Sequence, residues 1–137
     1  MKKSDIKTSA DLFLYKAIID FNSAKALFEL FENDEIEIDI EKVYFNLQQS
    51  AEKLIKSILS DRHINFKKIH DIEELLAVCE DNNIRLIKEV DKLVDLTDYA
   101  VEGRYDIICD DISDSDLYFE LVEQFIIFVK GDNRWDT

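Results

Sequence analysis

Gln48, Glu52 and Lys56 follow one another at intervals of four residues, and Gln49 and Lys53 stand beside them. On a helix, positions four apart share one face. Glutamines on a half-buried face form a polar network or an interface. The plainer alternative is ordinary surface carrying a Glu–Lys pair. His70-Asp71 is the second constellation. An imidazole held at a loop-to-helix junction can bond a phosphate or donate to a carboxylate. The alternative is a capping aspartate preceded by an incidental histidine. Arg104-Tyr105 offers a guanidinium fork beside an aromatic platform, which suits phosphate. Its alternative is an arginine offsetting the dipole at a helix end. His70, Arg104 and Tyr105 are thus the candidates for catalysis. The wider candidate cluster is Gln48, Gln49, Glu52, Lys53, His70, Asp71, Arg104 and Tyr105.

Other chemistries are closed by the residues present. The chain has no G-x-x-x-x-G-K-[ST], no G-x-G-x-x-G and no H-E-x-x-H. It has two histidines, His63 and His70, with Ser60 and Lys67 three positions before them, so a di-iron bundle built on Glu-x-x-His is excluded. Asp106, Asp110, Asp111, Asp114, Asp116 and Glu120 form an acidic run without a basic residue. It lacks the glycine of a D-x-[DN]-x-[DN]-G calcium loop. The run reads as a solvated loop with acids favoured at a helix N-terminus. No metal is expected.

These residues must be held by elements, and composition limits which. The 137 residues suit one domain, with a core over about 9–130 and a polar tail over 131–137. Hydrophobic residues make up 47%, enough for a sizeable core. There is no proline and there are two glycines, too few for the many tight turns of a β-rich fold. The formal net charge of −14 repels nucleic acid at long range and argues against an extended nucleic-acid surface. Cys79 and Cys109 fit no metal pattern and read as free thiols of a reducing cytoplasm. With no signal peptide and no apolar run of about 20 residues, the protein is expected to be soluble and cytoplasmic.

The spacing predicts an all-α antiparallel bundle of four long helices plus one short helix. Thr8 and Asp11 form a capping box, followed by Phe13, Ala17, Phe21, Ala24, Phe28 and Phe31 at helical intervals. Asp39 caps a second helix with two apolar stripes. Val43, Leu47, Ala51, Leu54 and Ile58 form the first, and Tyr44, Ile55 and Leu59 the second. Such a helix is the centre of a bundle or also faces a partner chain. Asp71 and Glu74 form a second capping box, opening the short helix. A fourth helix carries Leu86, Val90, Leu93 and Leu96 and ends at Gly103. Ser113 and Asp116 open the last, which ends at Gly131. Both glycines are expected to close helices in the left-handed conformation. Phe13, Phe21, Leu47, Ala51, Leu54, Leu121 and Phe125 are expected to be buried.

Four segments together resemble one family. The run Phe45 to Lys56, FNLQQSAEKLIK, resembles the A-Q-Q-A-A-E-K-x-L-K signature of HEPN domains (higher eukaryotes and prokaryotes nucleotide-binding). Lys67 to Leu76, KKIHDIEELL, resembles the family's x-K-T-H-D-L-x-x-L-L. Tyr99 to Tyr105, YAVEGRY, resembles Y-x-x-x-R-Y-P, and Asp20 to Leu27 is a softer match. The resemblance implies a homodimeric helical bundle, often encoded beside a nucleotidyltransferase as a toxin–antitoxin pair. Many members are metal-independent RNases using Arg, four to six residues, then His. Here His63 adjoins Arg62, His70 lies eight positions beyond it, and no histidine follows Arg85, Arg104 or Arg134. That motif is absent, and Asp106 replaces the proline after Arg-Tyr.

The expectation is a non-catalytic HEPN-like domain that dimerises and binds a nucleotide or a partner protein, a nucleotidyltransferase being one such partner. A nucleotide is the one cofactor implied. The alternative is a divergent metal-independent RNase using His70, Arg104 and Tyr105. A third reading is an antitoxin-like subunit. Tyr44, Ile55 and Leu59 are expected to supply an exposed dimer patch.

Overall fold

The computed structural model describes residues 1–99 and 113–131. Among the described residues there are four α-helices: α1 (Ser9–Glu32), α2 (Ile40–Asp61), α3 (Ile72–Asp81) and α4 (Ser115–Lys130). A 3-10 helix runs over Val90–Tyr99, and a single 3-10 turn over Lys3–Asp5 precedes α1. No strand occurs among the described residues, and the protein is an all-α bundle. No helix among them is long and apolar enough to cross a membrane.

α2 is the axis. It packs against α1, α3, the 3-10 helix and α4. Its two apolar stripes explain this: Val43, Leu47, Ala51, Leu54 and Ile58 are buried, and so are Tyr44, Ile55 and Leu59. The second stripe is therefore not an exposed patch, because other elements of the same chain cover it. Two serines bring α1 close to α2. Ser50 Oγ donates to the Ala17 carbonyl and Ser57 Oγ to the Ala10 carbonyl, both at 2.8 Å. Lys130 at the end of α4 lines a cavity of about 680 Å³ with Asp11 and Leu14 near the start of α1. Asp116 at the start of α4 lines another with Phe28 and Glu32 near the end of α1. α4 therefore runs antiparallel to α1. Phe119 bridges them, its ring 5.4 Å from Phe28 and 6.0 Å from Phe21. Of the residues expected in the core, Phe13 is only half-buried, its ring edge-on to Phe66 at 5.6 Å, while the other six are buried.

The helix starts follow the capping chemistry in part. Thr8 Oγ1 accepts from the Asp11 amide, and the Asp11 carboxylate accepts from the Thr8 amide, a complete capping box. Asp39 caps α2 and Asp71 caps α3, each accepting from the amide two residues on. Glu74 forms no return bond, so α3 lacks the expected box. α4 starts after Asp114 without a side-chain cap. Ser115 is instead drawn inward, its hydroxyl 2.9 Å from that of Tyr44.

The fourth predicted helix is a 3-10 helix where it is described. Val90, Leu93 and Leu96 step by three, and three residues make one 3-10 turn, so all point to one side. Leu93 and Leu96 are fully buried. Leu86 lies before this helix, and Gly103 lies outside the described residues.

The left-handed closures fall on residues other than glycine. Asp34, His63 and Asn83 have φ of 56°, 58° and 57° and follow α1, α2 and α3 by two positions. Around each, the main chain makes the paired bonds of a Schellman motif. After α2 these are His63 N to Ser60 O at 3.1 Å and Ile64 N to Leu59 O at 2.9 Å. Asp and Asn tolerate this conformation because their short polar side chains bond locally. Gly131 closes α4 at φ −83°, in right-handed geometry, so the expectation for it is corrected. A Cβ there would meet only Ile127 O at 3.5 Å and Phe128 O at 3.7 Å, ordinary contacts. Thermal or urea denaturation will show His63→Gly more stable by about 1 kcal/mol, the cost of a left-handed residue bearing a Cβ. Gly131→Ala will leave stability unchanged or slightly raised.

Candidate functional site

The polar face of α2 begins at Gln48. This residue is fully buried, and its Oε1 accepts from Gln49 Nε2 at 2.8 Å. Gln48 Nε2 has no hydrogen-bond partner; the other such buried atom among the described residues is Thr97 Oγ1. An unmade bond in the interior costs about 1–3 kcal/mol.

One turn on, Glu52 and Lys56 form an ion pair of 3.0 Å with side chains 5% and 10% exposed. The acid precedes the base, the favourable order with respect to the helix dipole. Two ions leaving water together lose hydration, and their attraction offsets this only with good geometry and further hydrogen bonds. His70 and Phe66, on the loop between α2 and α3, complete the pair. His70 Nδ1 lies 2.9 Å from Glu52 Oε1 and 3.0 Å from Lys56 Nζ. Phe66 puts its ring 5.9 Å from the ammonium, within cation–π range. Asp71, next to His70, caps α3 and so fixes where the loop ends.

This triangle constrains protons. Nδ1 can donate to Glu52 or accept from Lys56, and one nitrogen cannot do both at once. In the neutral ring, Nε2 is the free acceptor if Nδ1 donates and carries the proton if Nδ1 accepts; in the protonated ring both nitrogens donate. The His70 side chain is 74% exposed, so either form of Nε2 is available to a ligand. The arrangement can bond an anion or exchange a proton at one solvent-facing atom.

The candidate residues separate into groups. Glu52 and His70 are brought together, and Gln48 and Gln49 bond each other. Lys53 turns to the opposite flank and pairs with Asp20 of α1. The Asp71 side chain is used for capping rather than for holding His70. Arg104 and Tyr105 lie outside the described residues, as do Asp106, Asp110 and Asp111 of the acidic run. No group of three or more His, Cys, Asp or Glu suited to a metal ion occurs among the described residues. Lys56 is the residue that the candidate cluster lacked. Its signal was the four-residue step from Glu52, which reads equally well as a surface pair until burial is known.

Cys79, on α3, is buried and its thiol is pushed up to about 11, chiefly by burial, with the Arg62 guanidinium acting in the opposite sense. It is a core residue, not a nucleophile.

The fold is a helical bundle whose central helix carries a buried polar row ending at an exposed imidazole. Residues 10–132 match the HEPN domain family, and the chain belongs to it. Comparison with curated proteins and with solved structures gave no match.

Two outcomes follow. Glu52→Ala leaves Lys56 buried without its carboxylate and will lower unfolding free energy by about 3–5 kcal/mol. Replacing both charges together, Glu52→Leu with Lys56→Met, will cost far less. For Cys79, the folded pKa lies above the unfolded one, so the folded state holds its proton longer. The stabilisation is complete below the unfolded value of 9.0 and is lost as pH rises toward about 11. Iodoacetamide at pH 8, with peptide mapping, will label Cys79 slowly in the native protein and rapidly in urea.

Proposed function

We propose that this HEPN domain is a non-catalytic, homodimeric module that binds a nucleotide or a partner protein at the His70 edge of the α2 polar row. The supporting observation is the closed Glu52–Lys56–His70 triangle. Lys56 is buried against a carboxylate and is not presented to a ligand from solvent. His70 has no arginine four to six positions before it. The exposed Nε2 supplies one recognition contact for a phosphate or a carboxylate. Pairing with a nucleotidyltransferase in a toxin–antitoxin system is the biological setting in which such a module acts.

The anchored imidazole also favours a second reading. A carboxylate at Nδ1 and a free Nε2 are the parts of a general acid–base group, and a divergent RNase would use them with Arg104 and Tyr105. Purified protein incubated with RNA and screened against nucleotides by thermal shift separates the two. The expected result is intact RNA, a raised melting temperature with at least one nucleotide, and loss of that rise in His70→Ala. Cleavage of RNA by the native chain that disappears in His70→Ala would establish the nuclease instead.

A further inference from the structure

α1 carries apolar side chains on its outer face as well as on its core face. Ala10, Leu14, Ala17, Phe21, Ala24 and Phe28 fill its core face. On the opposite face Leu12, Ile19 and Leu30 are 40%, 44% and 37% exposed. The outward residues are not scattered: Leu12, Lys16, Ile19, Ser23, Ala26 and Leu30 advance by four and three in alternation. That spacing is the seam of a two-helix pair.

We infer that the outer face of α1 is the interface between two copies of this chain, the two α1 helices lying antiparallel about a two-fold axis near Phe21 and Asn22. The inference rests on the homodimeric reading above and adds where and how the copies meet.

Charge and side-chain size select the direction. A parallel pair sets Lys16 against the partner's Lys16, two like charges in the seam. The antiparallel pair sets Lys16 against the partner's Ala26, with the partner's Glu29 one turn away to receive the ammonium. Leu12 then meets the partner's Leu30, and Ile19 packs over the partner's Ser23. On one flank Asn22 faces the partner's Asn22, and two amides complement each other. On the other flank the Asp20–Lys53 pair meets its own image head to tail, so each lysine reaches a second carboxylate. One patch thus satisfies itself, as a two-fold interface requires. The seam is a single helix of 24 residues, so the contact is small for a specific interface and the dimer is a micromolar one.

Disulfide trapping and sedimentation test this, with the native chain, bearing Cys79 and Cys109, as the blank. Asn22→Cys will link into a dimer on mild oxidation. Leu12→Cys and Leu30→Cys will link when mixed and not alone. Ile19→Asp will weaken the native dimer at least about tenfold, with little change in melting temperature because the position lies outside the core, at 44% exposure. Both the trapping and the Ile19→Asp result are required, and failure of either overturns the proposed interface. A dimer untouched by Ile19→Asp and untrapped by Asn22→Cys places the contact elsewhere while the homodimeric reading stands. Self-linking of Leu12→Cys alone makes the pairing parallel and overturns the arrangement. A native chain that stays monomeric throughout the micromolar range removes both readings.

Discussion

The dehydration of α2 on nearly all its sides is the constraint on which the rest of this structure depends. A helix covered by four other elements leaves the long polar side chains at its centre little route to water, so these end on a partner or remain unpaired. Glu52 and Lys56 end on one another and on His70. Gln49 completes half of the Gln48 amide and leaves the other half open. Ser50 and Ser57 turn sideways to α1 carbonyls and let the two longest helices approach closely. Lys53, on the rim, reaches Asp20. The site is therefore the place where the central helix was not filled with leucine.

The loop from Ile64 to Asp71 serves fold and site together. The Schellman closure at His63 turns the chain and satisfies carbonyls at the α2 end. Phe66 then lies over the Lys56 ammonium, and His70 reaches the ion pair as Asp71 starts α3. One histidine thus spends its backbone on a left-handed turn, while the other holds an ion pair with one ring nitrogen and faces solvent with the other. The two are equivalent in composition and unlike in physical role.

Much of this was legible in the sequence because it is local. Capping boxes, four-residue apolar steps and broken stripes are written in neighbouring residues, and α1 to α3 followed from them. The family resemblance likewise rested on ordered local segments, and the family match agrees. The non-local features were not legible. Whether Tyr44, Ile55 and Leu59 face solvent or a second layer depends on where α4 and the 3-10 helix lie. The step of three from Val90 to Leu96 fits a 3-10 turn, but it is also compatible with an α-helix that drifts. The left-handed closures could be placed at glycines by propensity, yet the main-chain bonds of a Schellman motif accept Asp34, His63 and Asn83. Within the site, burial turned an ordinary Glu–Lys spacing into a desolvated pair, and burial is a property of the assembled bundle.

The 3-10 helix has a thermodynamic consequence of its own. Its hydrogen bonds are less well aligned than those of an α-helix, yet Leu93 and Leu96 use it to seal part of α2. The described shell thus has a cover held by weaker backbone bonds than the α1–α2 pair beneath it. Regions of low local stability are the first to open in native-state fluctuations. Of the elements covering the bundle axis, this one has the least well aligned backbone bonds, and opening it would expose α2 while the capped helices stay paired. In amide hydrogen exchange the molecule would behave as a slow-exchanging pair of long helices beneath a fast-exchanging strip, with the axis of the bundle on the boundary between them.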